Sequence, residues 1–398
     1  RGNRRRNVLF GGNRCHFAMN KKATELLKQY GFERIKAADM IDSYNFEDRK
    51  LVEIVKATYF NPKIVVIDET TTALSQEGRE ELYKHMERIR KSGNTVIFIS
   101  HDLPEIIEKS DTITILRDGV YIDTVKSKDV NENDLKKLMV GREVTGDYYR
   151  SDYGEKISDE VVLSAKHVTV PGLIEDVSFD LHKGEILGFG GLSESGMHEI
   201  GKAIFGASYD REGTVELADG TQINDIPTAI KHSIAYTSKD RDNESVVLNQ
   251  SIGDNICLPS LDELSGPAHL ISDKKKKDFA NKFAKQMSVK MVDVNQFVSN
   301  LSGGNKQKVV LARWIGKDSD IVVLDSPTRG IDIKVKQDIY QLMNQMRKNG
   351  KSIIMISEEL MELIGMCDRI MIMKDGKISG ELERDQNLDE NGLITMMV

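Results

Sequence analysis

LSGGNKQKVVLARWIGKDSDIVVLDSPTRGID, residues Leu301 to Asp332, is the stretch on which the reading of the whole chain turns. It opens on a Ser-Gly-Gly turn, continues through a mixed apolar and basic run without turn residues (Gln307 to Trp314), and ends in the apolar run Ile321 to Leu324, closed by Asp325. Small residues at a helix start leave backbone N–H groups bare and outward, where the helix dipole favours an anion such as a terminal phosphate. An apolar run of this kind suits a parallel strand buried on both faces, and a carboxylate at its end stands where open α/β sheets place their ligands.

Working outward, the chain repeats itself. A constant offset, the 257 positions from Ile64 to Ile321, relates Ile64-Val65-Val66-Ile67-Asp68 to Ile321-Val322-Val323-Leu324-Asp325. At the same offset Gly93 meets Gly350, Ser100-His101 meets Ser357-Glu358, and Asp118-Gly119 meets Asp375-Gly376. Leu82, Met86 and Ile89 match Ile339, Met343 and Met346, each set spaced to share one helix face. The halves are unequal, however. Counted back in register, the part of the second half from about Val161 to Asp254 has no counterpart ahead of Asn7, and that part should carry a phosphate-binding loop. Between the halves, Gly141 to Asp159 is polar and Gly-bearing and reads as a linker.

Composition bounds the rest. The 398 residues allow two to three domains, and 30% of them are charged. No apolar run approaches the length that spans a bilayer. A net charge of −7 argues against a dedicated nucleic-acid binder, since phosphate backbones call for a basic face. Cys15, Cys257 and Cys367 are odd in number and lack metal-ligand spacing, which suits a reducing compartment. The opening RGNRRR reads as a solvated end, and Lys274 to Lys277 as the polar face of a helix start.

LSGGNKQK followed by a short apolar strand and Asp325 resembles the signature motif and Walker B strand of ABC ATPases. The Asn-Lys-Gln-Lys continuation and PTRGID after the strand narrow the resemblance to the tandem ABC subunits of bacterial monosaccharide importers. DVSFDLHKGEILG and Ala312 to Trp314 look most like the galactose and methyl-galactoside branch. The resemblance covers nearly the whole chain. It implies an α/β fold of two P-loop NTPase-like ABC ATPase domains in tandem, the first N-terminally incomplete. Their bounds are residues 1–140 for the remainder of the first, 141–160 for the linker and 161–398 for the second.

The resemblance also assigns residues. Asp68 would hold Mg²⁺ through water, Glu69 would polarise the attacking water and His101 would sense the γ-phosphate of ATP. Ser302, Gly303, Gly304 and Asn305 form the signature that would cap the nucleotide from the other domain. The phosphate-gripping pattern G-x-x-x-x-G-K-[ST] is approximated by Gly191 and Gly196, but Met197 replaces the lysine, His198 the hydroxyl residue, and Glu194 adds a carboxylate. His198-Glu199 lacks a third partner in sequence and is not read as a metal site. Ser326 and Glu358 stand where Glu69 and His101 stand in the first half, and Ser238 to Arg241 lack the glutamine of a glutamine loop. In the first half Asn45, Phe46 and Glu47 replace Ser302, Gly303 and Gly304; a carboxylate near a phosphate at an effective dielectric near 20 costs about 4 kcal/mol, nearly three decades of affinity.

One composite site is therefore expected to be competent and the other damaged. The subunit would lie peripherally on the cytoplasmic face of a bacterial membrane and serve permease subunits and a sugar-binding protein, with no nucleic acid. Without the first phosphate loop, little hydrolysis is expected from this chain alone, whether as a fragment or the product of a truncated gene. Two alternatives differ in class. A non-hydrolysing or regulatory remnant is favoured by the damaged loop, while a soluble twin-ABC translation factor calls for a longer, charged linker.

Overall fold

The computed structural model describes residues 16–44, 46–68, 70–71, 74, 76–100, 102–117, 120–140, 148–152, 157–192, 194–266, 270–331, 333–385, 388 and 390–397. The chain divides into two compact units, Arg1–Glu143 and Val144–Val398.

In the second unit a three-stranded antiparallel sheet is built from β5 (Val161–Val170), β6 (Ile174–His182) and β8 (Glu212–Leu217), with β5 in the middle. The main sheet contains β7 (Ile186–Gly191), β9 (Ile234–Thr237), β10 (Ile321–Asp325), β11 (Ser352–Ile356), β12 (Arg369–Lys374) and β13 (Lys377–Glu383), in the order β13-β12-β7-β11-β10-β9. All its pairings are parallel except β12 with β13. Every residue of β7, β10 and β11 is buried, which is why these strands read as unbroken apolar runs without alternation. Gly188 and Gly190 let helix Leu360–Met366 lie close on β7: a Cβ there would stand 2.7 Å from Cys367 Sγ and 2.6 Å from Leu363 Cδ1.

The signature helix runs Gly303–Lys317, opening at the Ser-Gly-Gly turn as expected and taking in the turn-free run Gln307 to Trp314. Its inner end packs with helices Ile252–Cys257 and Asp273–Gln286. Arg313 fixes this cluster, donating from Nε to the Asn255 carbonyl (2.7 Å), from Nη1 to the Ser245 carbonyl (2.6 Å) and from Nη2 to Asn255 Oδ1 (3.1 Å). Burial lowers its pKa to about 10. The lysine run does open a helix, but Lys276 is paired with Asp254 and is not simply solvated.

Part of the stretch expected to be a linker is built into this unit. Tyr148 and Tyr149 pack against Tyr340 with ring centroids 5.5 and 5.2 Å apart. Arg150 donates to Asp368 (2.7 Å), Asp152 (2.9 Å) and the Met366 carbonyl (2.8 Å). Arg347 joins from the other side, 3.1 Å from Asp152.

The first unit has a parallel pair, β1 (Ile64–Asp68) and β2 (Thr95–Ile99), and an antiparallel hairpin, β3 (Thr112–Arg117) and β4 (Val120–Lys126). Among the described residues its first helix is His16–Gln29, and turns carry the chain onward. Leu51, Val55, Val65, Ile67 and Leu82 make its core on one face of β1. The other face is open: Ile64 and Val66 are each 58% exposed, Ile97 47% and Ile99 44%. Their counterparts at the 257 offset, Ile321, Val323, Ile354 and Ile356, are at most 4% exposed. What covers them is helix Met197–Ile204, which comes so near that a Cβ on Gly201 would lie 2.9 Å from Ile356 and 3.4 Å from Val323. Closely similar strands thus alternate in one unit and are wholly buried in the other, because among the described residues only the second unit has a helix packed on that face.

Candidate functional site

Ser302 is the N-cap of the signature helix and is exposed; its side chain caps no backbone N–H. Its hydroxyl accepts instead from Asn305 Nδ2 (2.9 Å), while Asn305 Oδ1 accepts from the Lys290 amide (2.8 Å). The hydroxyl is held in place by a side chain one turn on, and the first-turn amides of Gly303 and Gly304 keep the bare state that helix starts impose. Gly303 lies close to its surroundings: a Cβ would come within 3.1 Å of the Arg241 guanidinium and 3.5 Å of the Gly330 carbonyl. The cap is shaped for an anion, with Arg241 beside it.

Asp68 ends β1, where Thr70 Oγ1 donates to its backbone carbonyl (3.3 Å), and its carboxylate is exposed. A hard oxygen donor in the open suits Mg²⁺. Glu69 and His101 lie outside the described residues, as does Asn45, and so do the side chains of Phe46 and Glu47. Asp48 of the first half's signature position is buried and receives Arg34 Nε at 2.7 Å.

The chain neighbours of Glu69 and His101 share a hydrogen-bonded frame. Glu105 is buried and accepts from Thr71 (3.0 Å), Ser100 (2.8 Å) and Tyr83. Thr71 follows the Asp68-Glu69 pair and Ser100 precedes His101, so one carboxylate ties together the two segments that carry the catalytic assignments. Burial beside that carboxylate raises the Tyr83 pKa. The frame recurs 257 residues later: Glu362 accepts from Thr328 (2.6 Å), Ser357 (2.8 Å) and Tyr340 (2.5 Å). The ion pair beside it recurs as well, Arg79 with Asp102 at 3.7 Å and Lys336 with Glu359 at 2.6 Å. The motif scan did not single out these residues, although the offset that aligns the halves pairs every one of them.

The second unit's phosphate loop keeps its glycine turn and loses its chemistry. Gly196 has φ +89° and caps helix Met197–Ile204; a Cβ there would meet the Leu173 carbonyl at 2.6 Å. A Cβ on Gly191 would lie 2.7 Å from the Met373 carbonyl. Met197, where a lysine would project, is fully buried in the core, and Glu194 is exposed. His198 turns to the end of β10, with Nδ1 2.7 Å from Asp325 Oδ1 and Nε2 3.4 Å from Glu358 Oε1. Burial opposes its protonation, but the Asp325 and Glu358 carboxylates outweigh that and raise its pKa. Lys239, from the Ser238 to Arg241 loop, reaches the same place and lies 3.0 Å from His198 Nε2 and 2.6 Å from Glu358. Sequence reading looked for a glutamine in that loop and passed over the lysine. His198 does find partners, but they come from strand ends far along the chain, and Glu199 is not among them. Among the described residues no cluster of His, Cys, Asp and Glu has the form of a metal site, and no helix is long and apolar enough to cross a membrane.

Comparison with known proteins agrees with this picture. The ABC transporter family model matches residues 174–329. The ribose import ATP-binding protein of Lactococcus lactis subsp. lactis is 40% identical over 375 residues, covering 94% of this chain and 75% of that protein. The xylose import ATP-binding protein of Thermoanaerobacter pseudethanolicus is 42% identical over 346 residues, covering 84% and 68% respectively. A putative ribose/galactose/methyl galactoside import ATP-binding protein of Halalkalibacterium halodurans is 38% identical, with 84% and 63% covered. Among solved structures, a dimeric bacterial ABC transporter cassette matches in fold with TM-score 0.50 at 22% identity, over 56% of this chain and 99% of its own. With its uncapped Ser302 helix start, its parallel sheet and these relatives, the chain belongs to the ATP-binding proteins of ABC-type monosaccharide importers.

Proposed function

We propose that this chain serves as the ATP-binding subunit of a monosaccharide importer, docked peripherally on permease subunits at the cytoplasmic face of the membrane and fed by a sugar-binding protein. The domain limits that go with this reading are 1–140, a linker over 141–160, and 161–398. The observation that carries it is the open cap at Ser302 to Asn305, an anion-ready helix start with no side chain using up its amides.

In this reading Asp68, Glu69 and His101 are the catalytic set of the first unit, and Ser302, Gly303, Gly304 and Asn305 are the nucleotide-capping signature of the second. ATP with Mg²⁺ supplies the phosphoanhydride whose cleavage is coupled to uptake. The signature amides would hold γ-phosphate oxygens, Asp68 would help hold Mg²⁺, whose charge would offset that of the phosphates, Glu69 would polarise the attacking water and His101 would contact the γ-phosphate. Glu105 keeps the segments bearing the last two in register. The Gly191 to Gly196 loop of the second unit holds nucleotide weakly and supports no hydrolysis, and here the buried Met197 is the specific observation favouring a regulatory role.

The test is sugar-stimulated ATP turnover by the importer assembled with its permease in vesicles, measured for this chain, from which little is expected, and for a version extended by a first phosphate loop, which carries the substitutions. Glu69→Gln and Gly304→Asp are each expected to remove it, with Glu358→Gln leaving it within a few-fold. Full turnover by the Glu69→Gln importer would refute the assignment of the first site.

A further inference from the structure

The fold family implies a divalent cation at the carboxylate that ends the Walker B strand, and in the second unit the residues do not fit one. Asp325 and His198 are both buried. Asp325 Oδ1 is engaged by His198 Nδ1 at 2.7 Å and by the Ser326 hydroxyl at 3.3 Å, while the Tyr236 hydroxyl lies 3.4 Å from Oδ2. Mg²⁺ requires an octahedral shell of oxygens at about 2.0–2.1 Å and keeps several of its waters. Here the volume next to the carboxylate is filled by an imidazole, and beyond the imidazole stands the Lys239 ammonium, itself paired with Glu358 at 2.6 Å. A second cation placed among these donors would be repelled by the ammonium and would have to displace a 2.7 Å hydrogen bond from a site with little access to water. The residues that a metal-dependent loop would contribute are missing too, since position 197 has no charge and position 198 no hydroxyl.

We propose that His198 and Lys239 occupy the place of the divalent cation in the second unit, making this phosphate loop a metal-excluding site whose carboxylates are neutralised from within the protein. The inference rests on the ABC reading for what the position is expected to hold. The exclusion itself is a property of Asp325, His198, Lys239 and Glu358, so it can fail while the transport reading stands.

Mn²⁺, a spectroscopic substitute for Mg²⁺, provides the test on the full chain, read by electron paramagnetic resonance with and without ATP. Asp325→Asn is expected to leave Mn²⁺ binding unchanged, while the paired His198→Thr and Lys239→Gln substitutions are expected to add one bound Mn²⁺, lost again when Asp325→Asn is introduced. Loss of Mn²⁺ from the otherwise wild-type chain on Asp325→Asn would overturn the proposal, as would a paired variant that gains none. Nuclear magnetic resonance of the His198 ring in the wild-type chain avoids any folding defect in the variants. Its signals are expected to stay sharp as Mn²⁺ is added, and broadening that survives Asp68→Asn would overturn the proposal as well.

Discussion

Glu105 accepts a hydrogen bond from Ser100 at 2.8 Å, and 257 residues later Glu362 accepts one from Ser357 at the same distance. Each carboxylate also takes a threonine from the segment after its Asp-bearing strand, Thr71 or Thr328, and a tyrosine from the next helix. Removing Glu362 strands three buried hydroxyls, and removing Glu105 strands one, Thr71, with two half-buried ones, each buried group costing about 1–3 kcal/mol if left unpaired. Glu105→Ala is expected to destabilise the first unit by at least about 2 kcal/mol in urea unfolding, with Glu105→Gln costing less. In the assembled importer Glu105→Ala should lower kcat with little change in KM, and Glu362→Ala should affect stability alone. Equal loss of kcat from both would deny Glu105 a special link to the first site.

Gly365 is where the Tyr148 to Asp152 stretch is seated, since a Cβ there would overlap Tyr149, 2.3 Å from its Cγ. With the ring displaced, Arg150 would lose its buried place beside Asp368. Gly365→Ala is expected to expose the bond after Arg150 to trypsin, speeding cleavage there at least ten-fold. Unchanged cleavage in Gly365→Ala would mean that the strap can shift without leaving its groove.

His85 is buried between Tyr30 and Phe32, with ring centroids 4.8 and 5.5 Å away, and burial, aided by Arg88, lowers its pKa. Because the folded value lies below the unfolded one, the unfolded chain binds the proton first as pH falls. The stability is fully present above the unfolded value near 6.5 and is lost as pH drops from there toward the folded one. The urea midpoint of the first unit should therefore fall between pH 7.5 and 5.5, and the difference between wild type and His85→Gln should shrink over that range. A difference that stays constant with pH would remove His85 as the cause.

The open face at Val66 and Ile97 should behave as apolar surface in water. Dye binding by the full chain is expected to drop with Val66→Lys at a stability cost below about 0.5 kcal/mol, the usual range for an exposed position. At the matching buried position, Val323→Lys places an unpaired charge in a packed sheet and is expected to cost more than about 3 kcal/mol. Similar costs at the two positions would show that the face at Val66 is covered in solution.

By itself the sequence determined the elements and their kind. The unbroken apolar runs at Ile64 and Ile321, the Ser-Gly-Gly start at Ser302 and the 257-residue offset are local or periodic signals, and each reflects a constraint that acts on neighbouring residues. It also showed that the second phosphate loop lacks its lysine and hydroxyl, because that motif is contiguous. The tertiary structure alone decided what fills the gap. Lys239, Glu358 and Asp325 are brought to His198 from three strand ends whose adjacency follows from the sheet order β11-β10-β9. Burial was likewise beyond the sequence: closely similar apolar strands are covered in one unit and open in the other, because coverage depends on a helix packed from elsewhere and leaves no mark on the strand it covers.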